Sequence, residues 1–263
     1  MASIVSRESK KYPNISSIIC NNNLEDNTPG WVNDYFDHVI HVQKPGSYAA
    51  RNFGIKASNA ESYAFIDSDC IPTPGWFEEL QKFSLKNEAM IASGQTCILR
   101  DQADFFSYAY EDIFAFNFEQ LQKQRSAVTA NLFVKKNVFD KVGLFDEDSF
   151  SGGDFAFIEK AKNKFEISYE KKAVVFHPAR KNLSSLIKKH QRVYGGIYNR
   201  SHNKFLLFFY QMRPPINALE LAIKQKKPIH IKISAVFILI ILRMVYIFEH
   251  IKISFLDHEV RRK

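Results

Sequence analysis

Short apolar runs alternate with amphipathic stretches along the first hundred residues of the chain. The runs at 15–20, 38–42, 63–66 and 90–99 predict strands, because each is brief and is bounded by polar turn residues. Helical periodicity falls between them, at 49–58 and 76–85. Strands that alternate with helices in this way predict an α/β fold whose mostly parallel sheet is flanked by helices.

Two later segments also have helical patterns. Residues 105–124 are crowded with aromatic side chains, which indicates a core helix or, alternatively, one wall of an acceptor groove. A second helix is expected at 155–164, with Asp154 as its N-cap after a glycine pair.

The C-terminal pattern differs from the rest, because residues 231–248 are almost wholly apolar. A spanning helix needs about 20 apolar residues, and the uninterrupted run is only half of that. Lys232, Arg243 and His250 fall on one stripe of a helix, which predicts an interfacial helix with these groups at lipid headgroups. The side chains expected in the acyl region are Phe237, Ile238, Ile241 and Phe248. A helix docked on its own domain and a tilted spanning helix are the alternatives.

Length and charge both set the C-terminal part of the chain apart. With 263 residues and 46% hydrophobic content, it is expected to form one domain at 1–204 and a helical tail at 205–263. Residues 177–263 contain 17 Lys and Arg against 4 Asp and Glu, a net charge of +13, whereas residues 1–176 carry −5. An anionic partner is therefore expected for the tail. Its apolar character favours an acidic membrane surface, and the absence of a recognisable module argues against nucleic acid.

Cysteine usage bears on the compartment. Cys20, Cys70 and Cys97 have no C-x-x-C spacing, which indicates reduced thiols and no zinc site. The first eleven residues are polar rather than a secretory signal. We expect a protein at the cytoplasmic face of a membrane, peripheral through its tail, with a single spanning helix as the weaker alternative.

The candidate chemistry lies in the acidic triplet 67–69. Asp67 and Asp69 directly follow the apolar run 63–66, so both carboxylates are expected at the C-terminal end of a strand, where α/β sheets bind ligands. Carboxylate oxygens suit Mg²⁺ or Mn²⁺ holding a diphosphate. A second acidic triplet at 146–148 shows that the motif alone is weak evidence and that its position decides.

Six segments follow one another along the chain in a recognisable order, at residues 46–54, 65–76, 130–133, 138–147, 151–154 and 175–180. Together they resemble family 2 glycosyltransferases of the GT-A fold. The resemblance covers about residues 15–200. The family's first strand and helix have no counterpart before it, so the chain is expected to lack them.

The resemblance implies a role for each matching residue. The residues expected to contact the nucleotide sugar are Asn21, Asp26, Arg51, Asn52 and Asp67, with Asn21 standing where the family usually has aspartate. The expected ligands of Mn²⁺ or Mg²⁺ are Asp67, Asp69 and His177. The expected acceptor wall consists of Trp76, Asn131 and Gly153, and Asp154 is the expected general base.

The expected function is metal-dependent, inverting transfer of a sugar from a nucleotide diphosphate to a glycan or lipid-linked acceptor, in cell-surface polysaccharide synthesis. An inactive homologue that binds sugar nucleotide or membrane without turnover is the main alternative. A sugar-phosphate nucleotidyltransferase is a further one, but it would show a glycine-rich phosphate loop near the N-terminus, and none is visible.

Overall fold

The computed structural model describes residues 2–12, 14–23, 25, 28–87, 90–149 and 151–255. Its strands are β1 (Ile18–Asn21), β2 (His38–His41), β3 (Ser62–Ile66), β4 (Ile71–Pro72), β5 (Ile91–Leu99), β6 (Asn131–Lys135) and β7 (Ile167–Pro178). Its α-helices are α1 (Ala2–Ser9), α2 (Ser47–Lys56), α3 (Trp76–Asn87), α4 (Phe105–Phe114), α5 (Phe118–Lys123), α6 (Lys136–Val142), α7 (Gly153–Ala161), α8 (Leu183–Arg200), α9 (Lys204–Met212), α10 (Ile216–Lys224) and α11 (Ile229–Phe255). A short 3-10 helix occupies Gly30–Asp34.

The strands form two sheets. β1 and β2 pair in parallel, and the other five strands are ordered β3-β6-β5-β7-β4. The α/β class is confirmed, but the expected mostly parallel arrangement is wrong for the larger sheet, where β3–β6, β5–β6 and β4–β7 are antiparallel. A short apolar run reveals that a strand is covered on both faces, whereas its direction depends on how the chain returns to the sheet.

Most predicted elements are present with shifted ends, and one predicted helix is divided in two. The helix expected over 105–124 is broken into α4 and α5 around Phe116, whose φ is +51°. The helix α7 begins at Gly153, so Asp154 lies in its first turn rather than at the N-cap. The aromatic segment belongs to the core, since Ala109, Tyr110 and Ile113 are buried.

The chain divides into two compact units. The first comprises residues 1–97, 118–149 and 153–177, and the second comprises 98–117, 150–152 and 178–263. The core of the first unit joins the inner faces of β6, α6 and α7 and includes Leu132, Val134 and Ile158, all fully buried. The expected division of the chain at residue 204 stays a prediction.

Helix α11 is the longest element of the second unit. It has 27 residues, and residues 229–254 are long enough and apolar enough to cross a membrane. The short uninterrupted apolar run in the sequence therefore does not exclude a spanning helix. The helix packs against α4 and α8, with Ala235, Ile238 and Leu242 buried in those contacts. Ile238 therefore does not have the exposed position that the sequence predicts.

The basic stripe expected on α11 is also corrected by the structure. Arg243 donates from Nη2 to the backbone carbonyls of Tyr210 and Gln211, at the end of α9. His250 is buried and lies 2.6 Å from the hydroxyl of Tyr194. Both side chains bind protein groups, because helix packing turns them inward along with the buried face.

Candidate active site

Four potential ligand side chains converge beyond the end of β3. One ligand atom from each of Asp67, Asp69, Cys70 and His177 lies within 4.8 Å of all the others. The His177 Nε2 is 3.6 Å from the Asp69 Oδ1. His177 is buried, whereas the Asp69 side chain is 44% exposed, so the cluster opens to solvent on its carboxylate side.

Strand pairing explains why residues so distant in sequence meet there. After β3 ends at Ile66, the chain turns, with the Cys70 amide donating to the Asp67 carbonyl at 2.9 Å. The next residue, Ile71, pairs antiparallel with Phe176. This register brings His177, one residue beyond Phe176, beside the triplet.

The composition of the cluster suits a hard divalent cation. Burial raises the pKa of the Cys70 thiol, and the nearby carboxylates of Asp67 and Asp69 raise it further. Sulfur is also a soft ligand, which a hard divalent cation does not select. Two carboxylates and one imidazole remain as ligands, a set that Mn²⁺ accepts readily. The predicted ligands Asp67, Asp69 and His177 are thus brought together, although their role in metal binding stays a prediction.

Arg51 connects this cluster to helix α2. Its Nη2 pairs with the Asp67 Oδ1, and its guanidinium lies 5.6 Å from the centre of the Tyr48 ring. Tyr48 and Arg51 are three residues apart on α2, so both side chains point to the same side of the helix. Asp67 is consequently held by a fixed positive charge.

Asp154 accepts hydrogen bonds from both α2 and its own helix. The Tyr48 hydroxyl donates to its Oδ1 at 3.1 Å, and the Phe155 amide donates to the same oxygen at 3.0 Å. Burial raises the pKa of Asp154 above the ordinary aspartate value of 3.8, although these donors and Arg51 oppose the effect. Burial also raises the pKa of Tyr48 to about 12, so its hydroxyl remains a donor. The raised pKa makes this carboxylate a better proton acceptor than an exposed aspartate.

Gly153 has a steric reason to be glycine. A Cβ at this position would lie 2.7–3.0 Å from atoms of the Tyr48 ring. The small residue lets the ring reach Asp154, and the acceptor contact expected of Gly153 stays a prediction.

Two of the expected substrate contacts are fully engaged in protein hydrogen bonds. The Asn52 amide is buried, donates to the Phe145 carbonyl at 2.8 Å and to the Glu147 carboxylate at 3.0 Å, and accepts from the Phe145 amide at 3.1 Å. Asn131 is also buried, and it accepts from the Trp76 indole at 2.8 Å. Its Nδ2 donates to the carbonyls of Gln95 and Ala173.

Asn52, Asn131 and Trp76 therefore connect separate segments of the fold through hydrogen bonds. Both amide hydrogens of each asparagine are used, so neither has a donor left for a substrate. Their expected contacts with donor or acceptor stay predictions.

The expected nucleotide loop is only partly described. Asn21, at the end of β1, donates from Nδ2 to the Thr28 hydroxyl at 2.6 Å and accepts from the Asn23 amide at 3.1 Å. Asp26 lies outside the described residues.

Sequence reasoning missed Tyr48 and Cys70. The signal for Tyr48 was its spacing of three residues from Arg51 in a helix beside the predicted site. Cys70 directly follows the triplet, but only the β4–β7 register reveals that its sulfur faces His177.

Comparison with known proteins identifies the family. Residues 1–143, more than half of the chain, match the family model described as glycosyl transferase family 2. The chain belongs to glycosyltransferase family 2. This match contains Arg51, Asp67 and Asp69 and ends before Asp154 and His177.

One sequence relative and one solved structure of similar fold extend the comparison. Glycosyltransferase AglE of Haloferax volcanii is 30% identical over 162 residues, which are 61% of this chain and 53% of the relative. The chain thus spans about half the length of that relative. Mannosyltransferase PcManGT of Pyrobaculum calidifontis, solved in complex with GDP-Man and Mn²⁺, superposes with a TM-score of 0.56 at 14% identity, covering 98% of this chain and 85% of the other. The fold is GT-A.

Proposed function

We propose that this family 2 protein transfers a sugar from a nucleotide diphosphate to an acceptor hydroxyl, with inversion and with help from a divalent cation. The observation that carries the proposal is the cluster of Asp67, Asp69 and His177 beyond the end of β3. In the same unit, Asp154 offers a third carboxylate, whose pKa burial raises. The complex of PcManGT with GDP-Man and Mn²⁺ agrees with a nucleotide-sugar donor.

The proposed cation is Mn²⁺, with Mg²⁺ as the alternative. Asp69 and His177 would hold it, joined by the Asp67 oxygen that Arg51 leaves available. An imidazole in the set favours Mn²⁺ over Mg²⁺, which prefers oxygen ligands and keeps its waters. When bound, the cation supplies Lewis-acid stabilisation of the departing diphosphate.

The side chains of the protein supply the rest of the proposed mechanism. Arg51 fixes the orientation of Asp67 and brings positive charge toward the donor diphosphate. Asp154 accepts the proton of the acceptor hydroxyl as that oxygen attacks the anomeric carbon from the face opposite the diphosphate. Tyr48 holds the Asp154 carboxylate in one orientation during this transfer.

The proposed setting is the cytoplasmic face of a membrane, with a glycan or lipid-linked acceptor in cell-surface polysaccharide synthesis. Cys20, Cys70 and Cys97 form no disulfide in the described residues, which suits a reducing compartment. The apolar helix α11 supports membrane association through the C-terminal residues.

The first test measures binding of UDP and GDP by calorimetry with and without Mn²⁺. We expect Mn²⁺-dependent binding of at least one nucleotide, and we expect Asp69→Asn to weaken it by at least tenfold, because a charged ligand is lost while the exposed side chain leaves the fold intact.

The second acidic triplet provides the matched control. Asp148 is 88% exposed and pairs with Lys44, so Asp148→Asn should bind the nucleotide like the wild type. Equal binding by all three proteins would remove the cluster from the active site. Normal nucleotide binding without any sugar transfer would favour the inactive homologue.

A further inference from the structure

Helix α11 presents an apolar stripe to solvent. Large side chains recur on it at Ile233, Phe237, Ile240, Met244 and Phe248. These positions fall on one face, because their separations of three and four residues match the helical repeat. Phe237 is 55% and Phe248 64% exposed, so the described part of the chain leaves the stripe open.

The opposite face of α11 is committed to the protein. Ile231 and Ala235 pack with α4 residues, and Ile238 and Leu242 pack with Tyr110 and with Leu186 of α8. The helix is therefore docked on its own unit and apolar on its outer side at the same time. The sequence left an interfacial helix and a helix docked on its own domain as alternatives, and α11 is compatible with both.

Helices α9 and α10 add apolar surface next to α11, which contacts both. Phe205 and Leu206 of α9 are largely exposed, as are Ile216 and Ile223 of α10. Arg243 fixes α9 to α11 through the carbonyls at the end of α9. A monomeric soluble protein rarely exposes so many large apolar side chains together.

The charge beside this surface favours an anionic lipid over a protein partner. Arg213 and Lys226 are exposed in the segments that join α9, α10 and α11. They belong to the C-terminal residues 177–263, whose net charge is +13. Basic residues flanking an apolar helical face are the pattern of interfacial membrane binding.

The contacts of α11 also decide against a spanning orientation. Its C-terminal half is joined to α8 by a ladder of side-chain hydrogen bonds, His190 to Tyr246, Tyr194 to His250 and Tyr198 to Ser254. Crossing a bilayer would break this ladder or carry α8 and α4 with it. Those helices hold the Lys189–Glu111 pair, and ion pairs in hydrocarbon are costly.

We propose that α9, α10 and α11 form one membrane-binding surface for anionic bilayers, with α11 lying in the plane of the interface. The apolar stripe enters the acyl boundary, and Arg213 and Lys226 meet the headgroups. This proposal specifies the membrane contact of the proposed function and rests on it.

The test of binding is sedimentation of the full chain with vesicles of phosphatidylcholine and phosphatidylglycerol. Phe237→Gln/Phe248→Gln should weaken partitioning by at least tenfold, since two large apolar side chains leave the interface. The control is Trp31→Gln/Leu85→Gln, which removes two exposed apolar side chains from the first unit, 56% and 75% exposed, and should partition normally.

A depth measurement separates the in-plane from the spanning orientation. Tryptophan placed singly at Ile233, Ile240 and Phe248 should be quenched equally by shallow brominated lipids, after subtraction of the wild-type signal. In a spanning helix, residues 233 and 248 would differ in depth by about 22 Å at 1.5 Å per residue. Graded quenching along the helix would overturn the in-plane orientation.

Two further outcomes would overturn the membrane proposal. In the first, the wild-type protein stays in the supernatant with vesicles. In the second, the wild type is a dimer without lipid and Phe237→Gln/Phe248→Gln is a monomer, so that a second copy of the chain covers the apolar stripe. Nucleotide binding of the same variants, measured by calorimetry, keeps the tests independent. A variant that binds Mn²⁺ and nucleotide normally leaves the proposed enzymatic function standing whatever the vesicles show.

Discussion

At Asp154, burial and hydrogen bonding act on one carboxylate in opposite directions. Burial raises its pKa, and the Phe155 amide, Arg51 and the Tyr48 hydroxyl lower it, with burial prevailing. A carboxylate with a raised pKa is a stronger base than an ordinary aspartate, which suits a group that takes a proton during the reaction. The proposed base therefore depends on the tertiary contacts of Asp154 as well as on its residue type.

Asp154→Asn tests the base directly. The amide keeps an oxygen for the Phe155 hydrogen bond but cannot take a proton, so kcat should fall by roughly 10² or more. Nucleotide affinity should change little. The wild-type kcat/KM should decline toward acid from a pH above the ordinary aspartate value of 3.8, because protonation removes the base. An Asn variant that retains its activity would exclude Asp154 as the base.

Tyr48→Phe tests whether Tyr48 positions that base. Losing the hydroxyl removes a donor to the ionised carboxylate, so the acid limb of kcat/KM should move to higher pH by about one unit. The ring still fills the space beside Gly153 and supports Arg51, so nucleotide binding should be unchanged. A merely structural tyrosine would lower stability and leave the acid limb in place.

Between the elements, the Asn131 side chain of β6 lies over Gly94 of the neighbouring strand β5, because glycine carries no side chain. A Cβ on Gly94 would lie 2.3–2.5 Å from the Asn131 amide, which crosses β5 to reach the Gln95 carbonyl. The same amide accepts from Trp76, so one asparagine joins β5, β6, β7 and α3.

Gly94→Ala should consequently destabilise the protein by about 1–3 kcal/mol, the usual cost of overpacking a buried position. Urea denaturation of the purified chain measures the difference. Gly30→Ala is the control, because a Cβ there meets nothing within 4 Å, and its change should stay within about 0.5 kcal/mol. Equal unfolding midpoints for the two variants would contradict this account of Asn131.

The hydrophobic pattern predicted whether a segment is a helix or a strand better than it predicted which elements pair or pack together. The runs that became β2 and β3 were placed within one residue, because a short apolar segment between turns has few other uses. The break at Phe116 was not predicted, since its positive φ arises at a residue type that carries no turn signal.

In the whole molecule, the proposed catalytic groups and the excess of basic residues lie in different units. The proposed metal ligands and the proposed base all belong to the first unit, whereas the basic C-terminal residues belong to the second. The charge asymmetry was evident from the sequence. Which of those basic groups contact the protein was not, because Arg243 and His250 differ from exposed cations only through their tertiary partners.

The sequence by itself determined the α/β class, the family resemblance, the acidic triplet after β3 and the apolar C-terminal helix. These depend on local periodicity and on residue types at short spacing, which are properties of the chain alone. Tertiary structure decided the antiparallel sheet, the approach of His177 to Asp69, the engagement of Asn52 and Asn131, and the outward face of α11. Each of these depends on residues far apart in sequence, whose meeting is fixed by strand register and helix packing and leaves no local pattern.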